Sequence, residues 1–116
     1  MTKAQNGKHD ETIDKLVERL DKDEYHQIST LVEYYNPGCQ DVAGEIDAMA
    51  FKIDPKKTYL LLFEIKSYDS IKNLTKATKQ LYRSALNYEK LADKIYMFYV
   101  TPNKNKKYEL NIVWLR

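Results

Sequence analysis

Residues Thr58–Ser67 read TYLLLFEIKS, and this stretch decides how the rest of the chain folds. Side chains alternate between the two faces of a β-strand, and here both faces are apolar for most of the length. That pattern is typical of a central strand covered on both sides. Glu64 and Lys66 follow at its end, on the same face. Because burying a charged group is costly unless a partner satisfies it, this end of the strand is either a partly buried salt bridge or a functional site.

The preceding stretch, Ala43–Ile53, predicts a neighbouring strand, and the four residues after it, Asp-Pro-Lys-Lys, predict a hairpin turn. If Ile53 lies opposite Thr58, then Asp47 lies opposite Glu64, with about 4.5–5.5 Å between their Cβ atoms. Two carboxylates at that separation repel each other, and a divalent cation would turn the repulsion into coordination. The interpretation depends on register, because a loop one residue longer or shorter sends one carboxylate to the other face.

Hydrophobic periodicity along the rest of the chain predicts further elements. They are helices over Asp10–Lys22 and Ser70–Ala92 and strands over Tyr25–Tyr35, Lys94–Thr101 and Tyr108–Leu115. The strand over Tyr25–Tyr35 also fits helical spacing, so a helix is the alternative there. The order is therefore α-β-β-β-α-β-β, which predicts an α/β fold with a mixed α+β sheet. We expect residues 1–8 to be a flexible leader and residues 9–116 to form one domain.

The composition excludes several classes of protein. The chain has 116 residues, of which 43% are hydrophobic and 31% are charged, as in an ordinary globular domain. Its single cysteine, Cys39, forms neither an internal disulfide nor a Cys-based zinc site. The longest apolar run has six residues, Ile95–Val100, whereas a membrane span needs about 20, so we expect no membrane segment. The polar N-terminus lacks an apolar signal core, which favours a cytoplasmic location in a cell or a host cell.

The net charge of +2 conceals an uneven distribution along the chain. Residues 1–65 contain 8 Lys or Arg and 13 Asp or Glu, a net of −5, whereas residues 66–107 contain 10 and 3, a net of +7. An acidic part is suited to hold a cation, and a basic part is suited to meet an anion. The alternative is a mixed surface whose charges are unevenly ordered along the sequence.

The predicted helix over Ser70–Ala92 carries its cations on one side. At about 100° per residue, five of them fall within about 60° of one another. These residues, called here the basic stripe, are Lys72, Lys76, Lys79, Arg83 and Lys90. The opposite, apolar stripe consists of Ile71, Leu74, Leu81, Ala85 and Tyr88. Because the basic stripe contains no acid, it favours contact with nucleic-acid phosphates, which Lys104, Lys106 and Lys107 would extend. An ordinary solvated helix face is the alternative.

Two short motifs give the chain a family resemblance. GEID at residues 44–47, followed by FEIKS at residues 63–67, resembles the PD-(D/E)xK nuclease superfamily, whose members carry an acid at the end of one strand and an E-x-K on the next. The chain is most similar to small archaeal Holliday-junction resolvases and RecB-type nuclease domains. The resemblance covers roughly residues 10–100 and implies a restriction-endonuclease-like core with the order αβββαβ.

The resemblance implies a role for each residue of the strand motifs. Asp47 and Glu64 would bind Mg²⁺ or Mn²⁺, helped by the backbone carbonyl of Ile65. Lys66 would orient or deprotonate the attacking water and stabilise the charge that develops on the phosphate. The implied chemistry is metal-assisted hydrolysis of a phosphodiester bond.

Two further positions outside the strands are implied by the resemblance. RecB-type members carry a glutamine in the helix after E-x-K, which Gln80 matches, although the tyrosine that often follows four residues later is here Ser84. The family often has an acid on its first helix. Asp10 is the first candidate for that position, and Asp14 and Glu18 remain alternatives. A role of these acids at the helix dipole or in solubility is equally compatible with the sequence.

The sequence therefore leads to three hypotheses about function. The first is a Mg²⁺- or Mn²⁺-dependent nuclease that favours DNA and selects structure rather than sequence, since no base-reading motif occurs. The second is a non-catalytic nucleic-acid-binding module on a degenerate nuclease fold. The third is a small interaction protein in which the charges are incidental. The aromatic C-terminal strands favour a homodimer, because such strands offer an apolar face or edge to a second copy. Two related centres also suit a two-strand substrate.

Overall fold

The computed structural model describes residues 3–22, 25–35, 42–105 and 109–116. They form a small α+β domain whose element order is α-β-β-β-α-β-β, so the predicted order is confirmed. The helices are α1 (Lys3–Lys22) and α2 (Ile71–Tyr88), and the strands are β1 (His26–Tyr35), β2 (Val42–Ile53), β3 (Thr58–Ile65), β4 (Lys94–Pro102) and β5 (Leu110–Trp114). In the part of the chain described, neither helix is both long enough and apolar enough to span a membrane.

The five strands form one mixed sheet in the order β1-β2-β3-β4-β5. Only the pairing of β3 with β4 is parallel, and α2 provides the crossover that a parallel pair requires. β3 is the central strand, and its residues from Leu60 to Ile65 are all buried. The expectation drawn from its two apolar faces is therefore confirmed.

Each face of the sheet packs against one helix. Beneath α1, Ile13, Leu16 and Leu20 pack with alternate residues of β2 and β3, among them Ala48 and Phe63. Beneath α2, Leu81 packs with the opposite set, which includes Met49, Leu60, Leu62 and Met97. Removal of this apolar surface from water on both sides fixes the sheet between the helices.

The hairpin between β2 and β3 has the predicted register. Pairing runs from Ile53 opposite Thr58 to Ala48 opposite Phe63. The turn is held by Asp54, whose Oδ1 accepts hydrogen bonds from the backbone N–H groups of residues 56 and 57, both at 2.9 Å. Those two hydrogen bonds lower the pKa of Asp54. Asp47 and Glu64 come one position beyond the last of these pairs.

The first helix is longer than the sequence predicted. It begins at Lys3 rather than at Asp10, so residues 3–8, assigned above to a leader, have helical backbone. The role at the helix dipole that the sequence left open for Asp10, Asp14 and Glu18 is not supported, because they lie inside the helix, whose first turn contains no acid. For residues 25–35, the strand prediction is confirmed and the helical alternative is wrong.

The second helix is shorter than predicted and is rotated relative to the predicted apolar stripe. It ends at Tyr88, where the N–H of Leu91 bonds the Tyr88 carbonyl in a turn. Lys90 therefore lies beyond the helix and outside the basic stripe, which corrects its assignment. Ile71 is 86% exposed because it begins the helix, whereas the residues buried on α2 are Ala77, Leu81 and Ser84.

Candidate functional site

A cleft of about 790 Å³ opens at the end of the β2–β3 pairing. Residues from both helices and from β1, β2 and β3 line it. All five residues predicted as catalytic lie in its lining: Asp10, Asp47, Glu64, Lys66 and Gln80. Two residues of one hairpin are thereby brought together with residues that lie far from it in sequence.

Asp47 is buried at the point where β2 leaves regular alternation. Ile46 packs beneath α2, whereas strict alternation would group it with Ala48 beneath α1. The Asp47 carboxylate accepts a hydrogen bond from the backbone N–H of Ile65 through Oδ2, at 2.8 Å. Its Oδ1 lies 3.3 Å from Nε2 of His9. Asp47 therefore connects β2 to β3 and to α1.

Glu64 is the most unusual group in the cleft. Its side chain is 2% exposed, and Oε1 is buried without a hydrogen-bond partner. Burial, followed by the neighbouring Asp47 carboxylate, raises the pKa of Glu64 to about 9. A buried carboxyl oxygen that lacks a partner is unfavourable unless a ligand satisfies it.

The donors around Glu64 fit a hard divalent cation. The carboxylates of Asp47 and Glu64 supply only oxygen, the donor that Mg²⁺ and Mn²⁺ prefer, and the family resemblance adds the backbone carbonyl of Ile65. The unpartnered Oε1 of Glu64 is the observation that supports this fit. Among the described residues, no group of three or more His, Cys, Asp or Glu side chains is arranged to hold a metal, so a cation here would depend on the backbone and on water for further ligands.

Lys66 is held in the cleft by Gln80. The Lys66 ammonium donates to Oε1 of Gln80 at 3.1 Å, and the Lys66 backbone N–H donates to the Val100 carbonyl at 3.0 Å. Gln80 lies on α2, so packing of this helix on the sheet sets the position of the ammonium. Because the amide is neutral, it fixes the position of Lys66 without neutralising its charge.

The glycine of the GEID motif makes room for a contact behind the site. A Cβ atom at Gly44 would lie 2.3 Å from the Tyr34 hydroxyl oxygen. That hydroxyl accepts a hydrogen bond from Ser84 of α2, at 3.3 Å. Ser84 stands where RecB-type members often carry tyrosine, and here it connects β1 to the helix that carries Gln80.

His9 lines the cleft but was not among the residues predicted for the site. Its contact with the Asp47 carboxylate raises the pKa of His9, above all through a side-chain hydrogen bond. His9 precedes Ile13 by four residues and Leu16 by seven, so it shares the buried face of α1. That spacing was available in the sequence, but the helix was predicted to begin one residue later, at Asp10.

The first-helix acids are separated by the structure. Asp10 lines the cleft and is exposed. Asp14 and Glu18 are also exposed, but they do not contribute to the lining. Of the three alternatives left open by the sequence, Asp10 is therefore the one placed at the cleft.

The basic stripe runs from the cleft along α2. Lys72, Lys76, Lys79 and Arg83 are exposed on the helix, and Lys76 lines the cleft itself. Lys104 is exposed in the segment after β4, whereas residues 106 and 107 lie outside the described part of the chain. Lys76 thus connects the basic stripe to the cleft that contains the carboxylates.

The chain was compared with family models, curated proteins and solved structures, and it matches none of them. The function of the cleft is therefore inferred from its own contacts, burial and charge.

Proposed function

We propose that this protein is a metal-dependent nuclease of the PD-(D/E)xK type that hydrolyses phosphodiester bonds, with DNA as the favoured substrate. The observation that carries the proposal is the buried, unpartnered Oε1 of Glu64, beside Asp47 and in the same cleft as Lys66. The element order is also the one that the resemblance implies for a restriction-endonuclease-like core.

The residues that would hold Mg²⁺ or Mn²⁺ are Asp47, Glu64 and, through its carbonyl, Ile65. When bound, such an ion polarises the phosphate and lowers the pKa of a water molecule. Glu64, whose pKa is raised to about 9, must lose its proton before it can act as a ligand. Affinity of the cleft for the cation therefore increases with pH.

Lys66 supplies the positive charge of the reaction. Held by Gln80, its ammonium is positioned to orient a water molecule and to stabilise negative charge that develops on the phosphate. A group that is fixed before the substrate arrives needs no reorganisation during the reaction. Gln80 acts through Lys66 and is therefore a positioning residue.

The basic stripe binds the nucleic-acid backbone so that the backbone runs along α2. Lys72, Lys76, Lys79 and Arg83 contact phosphates, which carry no sequence information. Lys76 belongs to both the stripe and the cleft lining, so a backbone lying on the helix reaches the carboxylates. Selectivity for the structure rather than the sequence of the nucleic acid follows.

A second candidate is a nucleic-acid-binding module without catalysis. It is favoured by the contacts of Asp47, whose two oxygens are both engaged by protein groups, one by the Ile65 N–H and the other by His9. Such a site is held together without a cation. On this hypothesis the basic stripe still binds phosphates.

Cleavage of a supercoiled plasmid and of a single-stranded circular DNA, each with Mg²⁺ or Mn²⁺, distinguishes the two candidates. The nuclease proposal expects the wild type to cleave at least one of them, Glu64→Gln to cleave neither, and the matched control Glu89→Gln, an exposed acid outside the cleft, to cleave as the wild type does. Mg²⁺ or Mn²⁺ should also raise the Tm of the wild type but not that of Glu64→Gln. Binding by the wild type without cleavage of either DNA would favour the non-catalytic module.

We also propose a homodimer formed through β5. This strand is an edge of the described sheet, and it exposes Val113 and Trp114. Trp114 lies beside Tyr96, with 6.2 Å between ring centroids, in an aromatic groove of about 580 Å³. An exposed edge with apolar side chains is a ready surface for pairing with a second copy.

A further inference from the structure

Two large hydrophobic side chains line the polar cleft but do not belong to the hydrophobic core. Tyr68 is 60% exposed and Leu31 is 47% exposed, yet both line the cleft. They come from different elements, since Leu31 lies on β1 and Tyr68 follows β3. A cleft that only bound a cation and a phosphate would gain nothing from them.

The backbone that carries Tyr68 is fixed, although its ring is exposed. Its carbonyl accepts a hydrogen bond from Nδ2 of Asn73 at 2.8 Å. The next residue, Asp69, accepts one from the Tyr99 hydroxyl at 3.1 Å. Ser70 then caps α2 by accepting from the Asn73 N–H at 3.0 Å. The aromatic ring is therefore presented two residues after Lys66 by an anchored loop.

Leu31 has an unusual backbone conformation. Its φ is +51°, in the left-handed region that a leucine rarely adopts. Its neighbours in β1 pair with Ala48 and Ile46, so Leu31 lies across from Asp47. Strained residues of this kind persist where the surrounding structure fixes them, and they cluster at functional sites.

We infer that the cleft takes an unpaired nucleotide, whose base stacks on Tyr68 and contacts Leu31 while its phosphate meets Lys66 and Lys76. The substrate class is thus single-stranded nucleic acid, including the unpaired parts of branched or frayed structures. In a duplex, both faces of each base are covered by neighbouring bases, whereas an unpaired base offers a face to an aromatic side chain. This inference rests on the proposed function, because it assigns the substrate of the same cleft.

Fluorescence anisotropy in EDTA at low salt tests the inference apart from cleavage. The probes are a labelled oligothymidylate, an abasic oligonucleotide of the same length, and a blunt duplex. We expect the wild type to bind oligothymidylate roughly 5- to 150-fold more tightly than the abasic strand, the range that stacking on an aromatic residue gives. Tyr68→Ala should lose this preference, and Tyr68→Phe should keep it.

Two controls separate stacking from general effects. Tyr35→Ala removes a tyrosine that is 47% exposed and does not line the cleft, and it should keep the preference of the wild type. Tyr68→Ala should also leave the affinity for the duplex within about twofold of the wild type, because phosphate contacts with the basic stripe remain.

The outcomes of the two proposals are distinguishable. If Tyr68→Ala keeps the preference for oligothymidylate, or weakens duplex and single-strand binding alike, the inference is wrong. Duplex nicking that does not depend on Tyr68 would overturn the inference and leave the nuclease proposal standing. Binding that depends on Tyr68 without any cleavage would support the inference and contradict the nuclease assignment.

Discussion

Glu64 carries a proton in the folded chain over a wide range of pH. In the unfolded chain it loses that proton near 4.5, whereas burial and Asp47 raise its folded pKa to about 9. Between these values the folded state binds the extra proton, so the free energy of unfolding falls as pH rises. For one group the limit of this slope is about 1.4 kcal/mol per pH unit.

Replacing Glu64 with glutamine should remove most of this dependence. We expect urea unfolding in EDTA to show wild-type stability falling from pH 5 to pH 9, and the Glu64→Gln variant falling much less. A smaller slope of the same sign should remain, because the pKa of His9 is also raised by its contact with Asp47. Glu89→Gln is the matched control. Equal slopes for all three proteins would show that Glu64 is ionised in the folded chain at neutral pH.

Lys66 and Gln80 should differ in how strongly they affect the rate. Lys66→Ala leaves both carboxylates in place, so we expect the increase in Tm with Mg²⁺ to persist while single-turnover cleavage falls by about 10²–10³-fold. Gln80→Ala leaves the Lys66 ammonium present but removes its hydrogen-bond acceptor, so the fall in the cleavage rate should be smaller than for Lys66→Ala. A Lys66→Ala variant that cleaves as fast as wild type would remove Lys66 from the mechanism.

Short-range sequence patterns predicted the positions of some of these residues in the cleft but not of others. The proximity of Asp47 and Glu64 could be predicted because a tight turn, fixed by the hydrogen bonds of Asp54, sets the hairpin register. The departure of β2 from regular alternation at Ile46, beside which the Asp47 carboxylate contacts the Ile65 N–H and His9, could not be predicted from that register. Helical spacing could have placed His9 on the buried face of α1, but its contact with Asp47 depends on how α1 packs against the sheet, which is a tertiary property. The contact of Gln80 with Lys66 likewise depends on how α2 packs.

At the scale of elements, α2 packs on the sheet, and in the proposed function it also binds phosphates through the basic stripe. Reversing Lys76, Lys79 and Arg83 to glutamate should weaken binding to all sequences alike. It should also reduce the slope of log K against log salt by about 0.9 for each phosphate that is no longer neutralised. Reversal of Lys52, Lys56 and Lys57, which are exposed around the β2–β3 turn, is the control with matched charge. Equal effects of the two triple variants would assign binding to net charge alone.

The ends of the helices were the least predictable features of the elements. The buried stripe of α1 was clear from Ile13, Leu16 and Leu20, but the start of the helix was not, because acidic residues that resemble an N-terminal turn lie inside it. On α2, the helical spacing of apolar and basic residues continues past Tyr88, but the helix ends there and the chain turns towards β4. Periodicity identifies a face, whereas tertiary packing decides where the helix stops.

For the whole molecule, the proposed dimer sets the expected mass in solution. Light scattering at micromolar concentrations should give twice the chain mass of 13.7 kDa. Trp114→Lys places a charge on the exposed edge of β5 and should yield the monomer without loss of fold, since the side chain is 64% exposed. A wild-type mass of 13.7 kDa throughout that range would contradict the dimer.

The order in which the sheet is connected also bears on folding kinetics. Asp47 and Glu64 belong to a hairpin closed by a short turn, whereas Lys66 is fixed only when α2 has returned and β4 has paired in parallel with β3. Short loops close at a lower entropic cost than long crossovers, so local pairs form before distant ones. The two carboxyl groups therefore meet before the ammonium is in place, but Glu64 takes up its proton only once the helices bury it, because burial is the main cause of its raised pKa. A rise in pH consequently hastens the unfolding of the chain more than it slows its folding.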